Sequence, residues 1–279
     1  MIILSFGEIL WDEYPTEKVI GGAPFNFSAH TVKSGAKAYL ISAVGDDSLG
    51  KETLEEIEKK GVDASLVTVV KGVETGKCVV TLDEKGVPTF TLKTNVAYDQ
   101  ITFNGKVENT DALAFGTLSL RGDFNKKTLS SLLEKKIAKK VFCDLNLRAP
   151  FYDEQTVRFC LENANILKIS DSEADYLAEK FGFAFDDYAD ACKVVKNAFS
   201  NLEVVIITCG SKGAYATNGS SVQFCPAIKT EVVSTVGAGD SFGAVFLTEY
   251  LKGKSIEESL ALATKRSAYV VSKKEAIPD

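Results

Sequence analysis

The 279-residue sequence predicts an α/β fold with a mostly parallel central sheet and a small β-sheet lid. Short apolar runs such as MIILSF, AYLISAVG and VVIITCG alternate with amphipathic helical stretches, which is typical of a parallel sheet covered by helices on both faces. One segment, GKCVVTLDEKGVPTFTLK, instead has two strand-like arms around the turn DEKG. It predicts a hairpin that stands off the main sheet.

The composition indicates a protein that acts on small molecules. The formal net charge is −6, from 32 basic and 38 acidic residues, and the scattered basic residues argue against a nucleic-acid or membrane partner. One His and six separated Cys residues, with no CxxC pair, argue against zinc chemistry. There is no basic leader, Glu8 comes too early for a signal peptide, and no apolar run approaches the roughly 20 residues that span a bilayer. We therefore expect a cytoplasmic protein.

The stretch STVGAGDSFGAVFL, residues 234–247, predicts a glycine-rich turn that opens an apolar helix. Gly237 and Gly239 allow a tight turn, and the free N–H groups of a helix start favour a bound anion. Asp240 fits two interpretations, a helix cap worth about 1 kcal/mol or a reactive acid beside the anion. This stretch alone does not separate them.

Polar residues also follow the first strand. Glu8 and Asp12 could accept hydrogen bonds from sugar hydroxyls, and solvated loop acids explain them equally well. Gly21 and Gly22 permit close backbone contact, while Asn26 offers a donor and an acceptor near a helix start. That set matches a polyol, whereas a tight turn and a cap are the alternative reading.

Two later strands end in polar side chains. Alternation along a strand would place Asp144, Asn146 and Arg148 on one face, where a buried Arg suits a phosphoryl group or a structural ion pair. Lys168 lies in the next predicted strand, and Glu173 early in the following helix suits a magnesium site or a first-turn acid. For Glu173 taken singly, the structural reading is the stronger one.

The segment TCGSKGAY indicates a place for a flat nucleotide, or a plain β-turn, because Thr208, Gly210 and Gly213 are small residues that follow a very apolar strand. Two similar motifs are rejected. GDDSLGKE, residues 45–52, lacks the final Ser or Thr of a Walker A loop, and its acids would repel a triphosphate. GAGDSFG is not a dinucleotide fingerprint because Phe242 occupies the third glycine position.

GGAPFN, DLNLR, TCGSKGAY and STVGAGDSF, taken together and in this order, resemble the ribokinase-like (PfkB-type) carbohydrate kinases over nearly the whole chain. GGAPFN with FGTLSLR looks most like the fructokinase branch. The resemblance implies a Rossmann-like, three-layer ribokinase-like fold. We expect one carbohydrate kinase domain over residues 1–279, with lid segments at about 11–21 and 74–97 and a homodimer formed through the lid.

The resemblance also implies roles for individual residues. Asp240 would be the general base, with the backbone N–H groups of Gly237, Ala238 and Gly239 as the anion hole and Arg148 close to the phosphates. The expected sugar-binding residues are Asp12, Gly21, Gly22 and Asn26, and the expected ATP-binding residues are Thr208, Gly210, Gly213 and Lys168. Glu173 would help to hold Mg²⁺ through water.

Three positions depart from the family pattern. Ser234 stands where an Asp usually helps to bind an activating monovalent cation, so a monovalent-cation requirement is doubtful here. Ser170 replaces the usual Asn of the magnesium motif, and Glu275 replaces a Gly beside the adenine pocket. We expect ATP-dependent phosphorylation of a hydroxymethyl group of a free sugar, with fructose as the best candidate. Ribose or 2-keto-3-deoxygluconate kinases and a non-catalytic sugar- or nucleotide-binding regulator are the alternatives, with a dehydrogenase more remote.

Overall fold

The strands and helices follow each other in the alternating order that the sequence predicts. The structure is a computed structural model that describes residues 1–82, 88–105 and 107–279. Its strands are β1 (Ile2–Phe6), β2 (Leu10–Glu13), β3 (Lys18–Gly21), β4 (Lys37–Gly45), β5 (Val67–Val70), β6 (Lys77–Leu82), β7 (Pro88–Leu92), β8 (Ala112–Phe115), β9 (Lys140–Asp144), β10 (Ile166–Ser170), β11 (Val204–Thr208), β12 (Gly213–Thr217) and β13 (Val222–Pro226). Its α-helices are α1 (Ala23–Lys33), α2 (Ser48–Lys59), α3 (Asp123–Glu134), α4 (Glu154–Asn163), α5 (Asp171–Phe181), α6 (Tyr188–Ala198), α7 (Ala238–Leu251) and α8 (Ile256–Val271).

The large sheet has nine strands in the order β13-β12-β11-β10-β9-β8-β1-β4-β5. The pairs from β11 to β5 are parallel, and β12 and β13 add an antiparallel edge. Ile3, Leu4 and Phe6 of β1 are fully buried, because helices cover both faces of the sheet. The predicted fold class is confirmed.

The small sheet has the order β3-β2-β6-β7. Strands β2 and β3 lie in residues 10–21, and β6 and β7 in residues 77–82 and 88–92; the sequence predicts lid segments at about 11–21 and 74–97. Asp12 on β2 is in register with Cys78 on β6. The arms of the predicted hairpin pair as antiparallel β6 and β7, whereas its turn DEKG, residues 83–86, lies outside the described residues. A second hairpin, formed by β12 and β13 after the segment TCGSKGAY begins, belongs to the edge of the large sheet.

Helix α7 is apolar because it is packed between other elements. It contacts α1 and α8, and Phe242 and Phe246 belong to the core beneath the large sheet. The chain then returns from α8, where Ile277 packs with Phe25 of α1. Within the described ranges, no helix has both the length and the apolar character needed to cross a membrane.

Candidate active site

Three neighbouring clefts lie at the carboxyl ends of the parallel strands, where polar loops of an α/β sheet converge. The inner cleft is small, about 30 Å³, and is lined by Glu8, Asp144, Asn146 and Asp240 among others. The middle cleft, of about 420 Å³, shares Asp144 and Asn146 with the inner cleft. The long cleft, of about 660 Å³, shares Thr208 and Gly239 with the middle cleft. The shared lining residues place the three clefts side by side.

The start of α7 forms the wall between these clefts. Gly237 precedes the helix with φ 77°, and a Cβ atom there would lie 2.8 Å from the carbonyl oxygen of Ala276. Only glycine fits this position without strain. The N–H of Ala238 donates to the Thr235 carbonyl at 3.3 Å, whereas the N–H of Gly239 has no acceptor in the described part of the chain. The helix start therefore offers an unpaired donor to an anion.

Asp240 is fixed by a residue from the other end of the chain. Its Oδ2 accepts a hydrogen bond of 2.8 Å from Nδ2 of Asn26, in the first turns of α1. Burial raises the pKa of Asp240 above its usual value, while this hydrogen bond and the charges of Lys168 and Arg148 act against the rise. The result is an oriented carboxylate beside residues 237–239 at the start of α7, which we call the anion loop.

A buried ion pair lies beneath that loop. Lys168 on β10 is in register with Asp144 on β9, and its Nζ donates to both carboxylate oxygens at 2.9 and 2.8 Å. The negative charge of Asp144 raises the pKa of Lys168 against the effect of burial. A Cβ atom on Gly239 would lie 3.4 Å from this ammonium group. Lys168 thus brings positive charge to the place where an anion would bind.

Glu173 ties the start of α5 to the loop after β9. Its Oε2 accepts from the N–H of Ser170 at 2.7 Å, and its Oε1 accepts from the N–H of Leu147 at 2.6 Å. The Ser170 hydroxyl in turn accepts from the N–H of Glu173 at 3.2 Å, which completes a capping box. The structural interpretation of Glu173 therefore has direct support, although the side chain also lines the middle cleft.

These residues fit Mg²⁺ held mainly through water and phosphate. No group of three or more His, Cys, Asp or Glu side chains that could hold a metal ion occurs in residues 1–82, 88–105 and 107–279. Magnesium keeps several of its waters and commonly needs only one or two carboxylates, which Glu173 and Asp144 can supply in the middle cleft.

Arg148 requires a correction. Strand β9 ends at Asp144, and Asn146 has φ 44°, so the regular alternation that would align Asn146 and Arg148 with Asp144 stops before them. Arg148 is exposed, not buried, and no salt bridge joins it to another described residue. The loop nevertheless brings it to the middle cleft, where its charge lowers the pKa of Asp240.

The expected sugar-binding residues fall into two groups. Asn26 contacts Asp240 directly. Gly22, just before α1, has φ 109° and lies so close to the residues after β1 that an added Cβ atom would be 2.5 Å from the Glu8 carbonyl oxygen. Asp12 and Gly21 lie on the small sheet and are absent from the residues lining the three clefts as described. Burial raises the pKa of Asp12, which also receives a hydrogen bond from the Cys78 thiol.

Thr208, Gly210 and Gly213, the residues expected near a nucleotide, line the long cleft. Thr208 ends β11, and a single 3₁₀ turn over Gly210–Lys212 leads into β12. Residues of α8 form the opposite wall of this cleft. Glu275 is exposed beyond α8 and does not line the described cleft.

Sequence reasoning did not settle Glu8 or find the ion pair between Lys168 and Asp144. Glu8 is only 4% exposed, which excludes the solvated loop acid, and burial raises its pKa to about 7. Its signal was its place two residues beyond the continuous apolar strand that ends at Phe6. The signal for the ion pair was opposite charge near the ends of two adjacent predicted strands.

The C-terminal segment, residues 272–279, supports the anion loop. His30 on α1 donates from Nε2 to the carbonyl oxygen of Ala276 at 2.8 Å, and its Nδ1 accepts from Arg266 at 3.3 Å. Ala276 is the residue that contacts Gly237. The same helix that supplies Asn26 therefore also holds the backbone against which the anion loop packs.

The comparisons with known proteins agree with this geometry. A model of the pfkB family carbohydrate kinases matches residues 7–279. An uncharacterized sugar kinase from Pyrococcus horikoshii is 30% identical, over 92% of this chain and 84% of its own length. Its structure in complex with ATP superposes with a TM-score of 0.84 and 27% identity, covering 99% of this chain and 94% of that one.

Fructokinases are also among the relatives. Fructokinase-2 of Zea mays is 27% identical, over 99% of this chain and 90% of its own length. A fructokinase structure from Vibrio cholerae O395, with fructose, ADP and calcium bound, has a TM-score of 0.84 and 20% identity, covering 99% of this chain and 94% of that one. At that identity the likeness shows the shared fold.

Proposed function

The chain belongs to the pfkB family of carbohydrate kinases, and from this we propose that it transfers the γ-phosphate of ATP to a hydroxymethyl group of a free sugar, most specifically fructose. Several of its relatives are fructokinases or probable fructokinases, each with 27% sequence identity to this chain. The coarser activity, that of a sugar kinase, follows from the family itself.

One observation carries the proposal: the carboxylate of Asp240 is held by Asn26 at the mouth of an anion-binding helix start. In the proposed reaction Asp240 accepts the proton of the attacking hydroxyl group. The transferred phosphoryl group lies against the backbone N–H groups of Gly237, Ala238 and Gly239, with Arg148 near its oxygens. A positioned base contributes about 10²- to 10⁴-fold to such a reaction, and the rest is positioning and charge stabilisation.

We place ATP along the long and middle clefts. Thr208, Gly210 and Gly213 border the long cleft, which is large enough for a nucleotide, and Lys168 lies where the two clefts meet. Mg²⁺, when bound, would neutralise phosphate charge. Glu173 is positioned to hold its water ligands from the side of the middle cleft. We assign no monovalent cation, because Ser234 replaces the expected acid.

The sugar would lie between the inner cleft and the lid. Asn26 lies in the first turn of α1 and Gly22 directly precedes that helix, both near Asp240. Asp12 and Gly21 on the small sheet would close over the bound sugar. The acids lining the inner cleft favour an uncharged sugar over a phosphosugar. This bears on the choice, because one relative, from Thermoanaerobacterium thermosaccharolyticum, is an ATP-dependent 6-phosphofructokinase that is 26% identical.

We further propose a single kinase domain over residues 1–279 that works in the cytoplasm as a homodimer joined through its lid. Val19 and Phe90 support the dimer, because they are exposed apolar side chains on the two edge strands of the small sheet, at 38% and 52% exposure. We expect no nucleic-acid or membrane partner, because the net charge is −6 and the basic residues are scattered along the sequence.

A kinase for ribose or 2-keto-3-deoxygluconate remains the alternative within the family, because one hydroxyl more or less is read by pocket geometry. The other alternative is a sugar- or nucleotide-binding regulator without activity. The oriented Asp240 carboxylate favours the enzyme over the regulator.

The test is ADP release with Mg-ATP over fructose, ribose, mannose, glucose and 2-keto-3-deoxygluconate, for the wild type, Asp240→Asn and the exposed control Asp186→Asn. Fructose-dependent turnover should fall by at least about 10²-fold in Asp240→Asn and remain unchanged in Asp186→Asn. A preference for another sugar would overturn the fructose assignment alone. Equal turnover by the wild type and Asp240→Asn would overturn the role of Asp240.

A further inference from the structure

Glu8 presents an unpaired carboxylate oxygen inside the protein. It follows β1 directly, is 4% exposed, and lines the inner cleft with Asp240. The backbone N–H groups of Glu8 itself and of Ala23 favour its ionised form and so lower its pKa, against the effect of burial. Its Oε2 has no hydrogen-bond partner in residues 1–82, 88–105 and 107–279. A buried polar atom without a partner is costly, and a hydroxyl group of a ligand would supply one here.

Two other buried polar atoms near the cleft also lack partners among the described residues. Ser5 Oγ on β1 lines the inner cleft, and Asn26 Oδ1 belongs to the side chain that holds Asp240. Ser5 and Glu8 line the inner cleft together with Asp240, and Asn26 contacts Asp240. A hydroxyl group can satisfy an unpaired polar atom of this kind, because it both donates and accepts.

The charges around the inner cleft select against an anion. Glu8, Asp144 and Asp240 all line it, and the cations Lys168 and Arg148 line the middle cleft instead. A phosphate or carboxylate group placed beside Glu8 would meet like charge in a poorly solvated space. An uncharged hydroxyl group would meet an acceptor.

We propose that Glu8 determines specificity by accepting, at Oε2, a hydrogen bond from an uncharged hydroxyl group of the sugar, distinct from the hydroxyl group that Asp240 deprotonates. This inference rests on the proposed function, because it assumes that a hydroxyl group of a bound sugar enters the inner cleft. The site then rejects sugars that lack this hydroxyl group, since binding them leaves the buried oxygen unpaired.

The charged surroundings of Glu8 give the proposal a second readout. Burial and the charge of Asp240 on α7 together raise the pKa of Glu8 to about 7, and the charge of Arg148 on the loop after β9 opposes the rise. Tyr98, between β7 and β8, and Arg121, just before α3, also interact electrostatically with Glu8. We expect kcat/KM for the sugar to change near pH 7 in the wild type. Glu8→Gln, which does not titrate, should lack this change.

The experiment combines variants of Glu8 with monodeoxy analogues of the sugar that the wild type prefers. Glu8→Ala should lower kcat/KM for the parent sugar by about 10- to 100-fold. One analogue lacks the hydroxyl group that Glu8 contacts. With this analogue the kcat/KM of the wild type should fall by the same amount, about 10- to 100-fold, relative to the parent sugar. The kcat/KM of Glu8→Ala should be the same for this analogue as for the parent sugar. Glu8→Gln keeps an acceptor oxygen and should lose less than Glu8→Ala. Glu55→Gln, an exposed charge change on α2, is the control.

The assignment would be overturned if, for every analogue, the fold-loss in kcat/KM from Glu8→Ala multiplied with the fold-loss from the missing hydroxyl group. Such independent losses indicate a purely structural effect of Glu8. If Glu8→Ala does not fold, the same cycle is run with Glu8→Gln, and an unchanged pH profile together with multiplicative losses overturns it again. These failures presuppose wild-type turnover. No turnover of any sugar would overturn the proposed function, and this inference with it.

Discussion

Asn26 and Asp240 are 214 positions apart in the chain, yet Nδ2 of Asn26 lies 2.8 Å from Oδ2 of Asp240. This contact joins the first turns of α1 to the first turn of α7, the helix that carries the anion loop. It therefore couples the orientation of the proposed base to the helix expected to bind the sugar.

Asn26→Ala should lower kcat/KM for the sugar by about 10- to 100-fold, because it removes a hydrogen bond to a charged group at the site of reaction. The hydrogen bond from Asn26 lowers the pKa of Asp240, so its loss should move the acidic limb of the pH profile of kcat/KM to higher pH. Steady-state kinetics from pH 5 to 9 would measure both effects. Asn104→Ala, in an exposed loop, should change neither; an acidic limb that stays in place in Asn26→Ala would contradict the assignment of Asp240 as the titrating base.

Gly237→Ala should damage the anion loop more than its backbone strain alone explains. Gly253, at the other end of α7, is the matched control, because it also has positive φ, 90°, but no described atom lies within 4 Å of its added Cβ atom. Both variants should lose about 1–2 kcal/mol of unfolding free energy from the left-handed backbone. Only Gly237→Ala, which meets Ala276, should also lower kcat/KM for ATP by about 10- to 100-fold. Equal kinetics for the two variants would argue against the anion loop.

Lys168→Met should destabilise the fold by about 3–5 kcal/mol, because it leaves the carboxylate of Asp144 without its partner in a nearly buried position. The double variant Asp144→Asn with Lys168→Met removes both charges and should recover part of that loss. Urea denaturation would measure the three free energies of unfolding. Lys139→Met, at an exposed pair with Asp111, should have little effect. If the double variant were no more stable than Lys168→Met, the unpaired charge of Asp144 would not be the cause of the lost unfolding free energy.

His30 should make the wild type less stable in acid. Burial lowers its pKa from 6.5 to about 4, and the nearby charges of Arg266, Lys33 and Lys60 also oppose protonation. The unfolded chain therefore binds a proton that the folded chain excludes. The contribution of neutral His30 is complete above about pH 6.5 and falls towards pH 4, by up to about 3 kcal/mol.

His30→Gln keeps a donor for the Ala276 carbonyl but cannot titrate in this range. Since His30 is the one His in the sequence, the difference in unfolding free energy between wild type and His30→Gln isolates its titration from that of the acids. That difference should change between pH 6.5 and 4 and be constant above this interval. A constant difference throughout would mean that His30 is protonated as readily in the folded protein as in the unfolded one.

The amino-acid pattern alone predicts the fold class, the two sheets and the glycine-rich helix start of the candidate site. Apolar strands between amphipathic helices fix a parallel sheet because each backbone must pair and each apolar face must be covered. The glycine pattern around Gly237 predicts a helix start suited to an anion, because φ restrictions and unpaired N–H groups are local properties. Local chemistry of this kind is readable without knowing the distant parts of the chain.

Which polar groups meet depends on the folded chain and cannot be read from local patterns. The tertiary structure paired Asn26 with Asp240 and Lys168 with Asp144, exposed Arg148, and buried Glu8 with an unpaired oxygen. These relations depend on strand order, register and helix packing between segments up to 214 residues apart. Because burial and neighbouring charge set the protonation and the hydrogen-bonding demand of each carboxylate, the roles of such acids follow from three-dimensional placement and not from residue type alone.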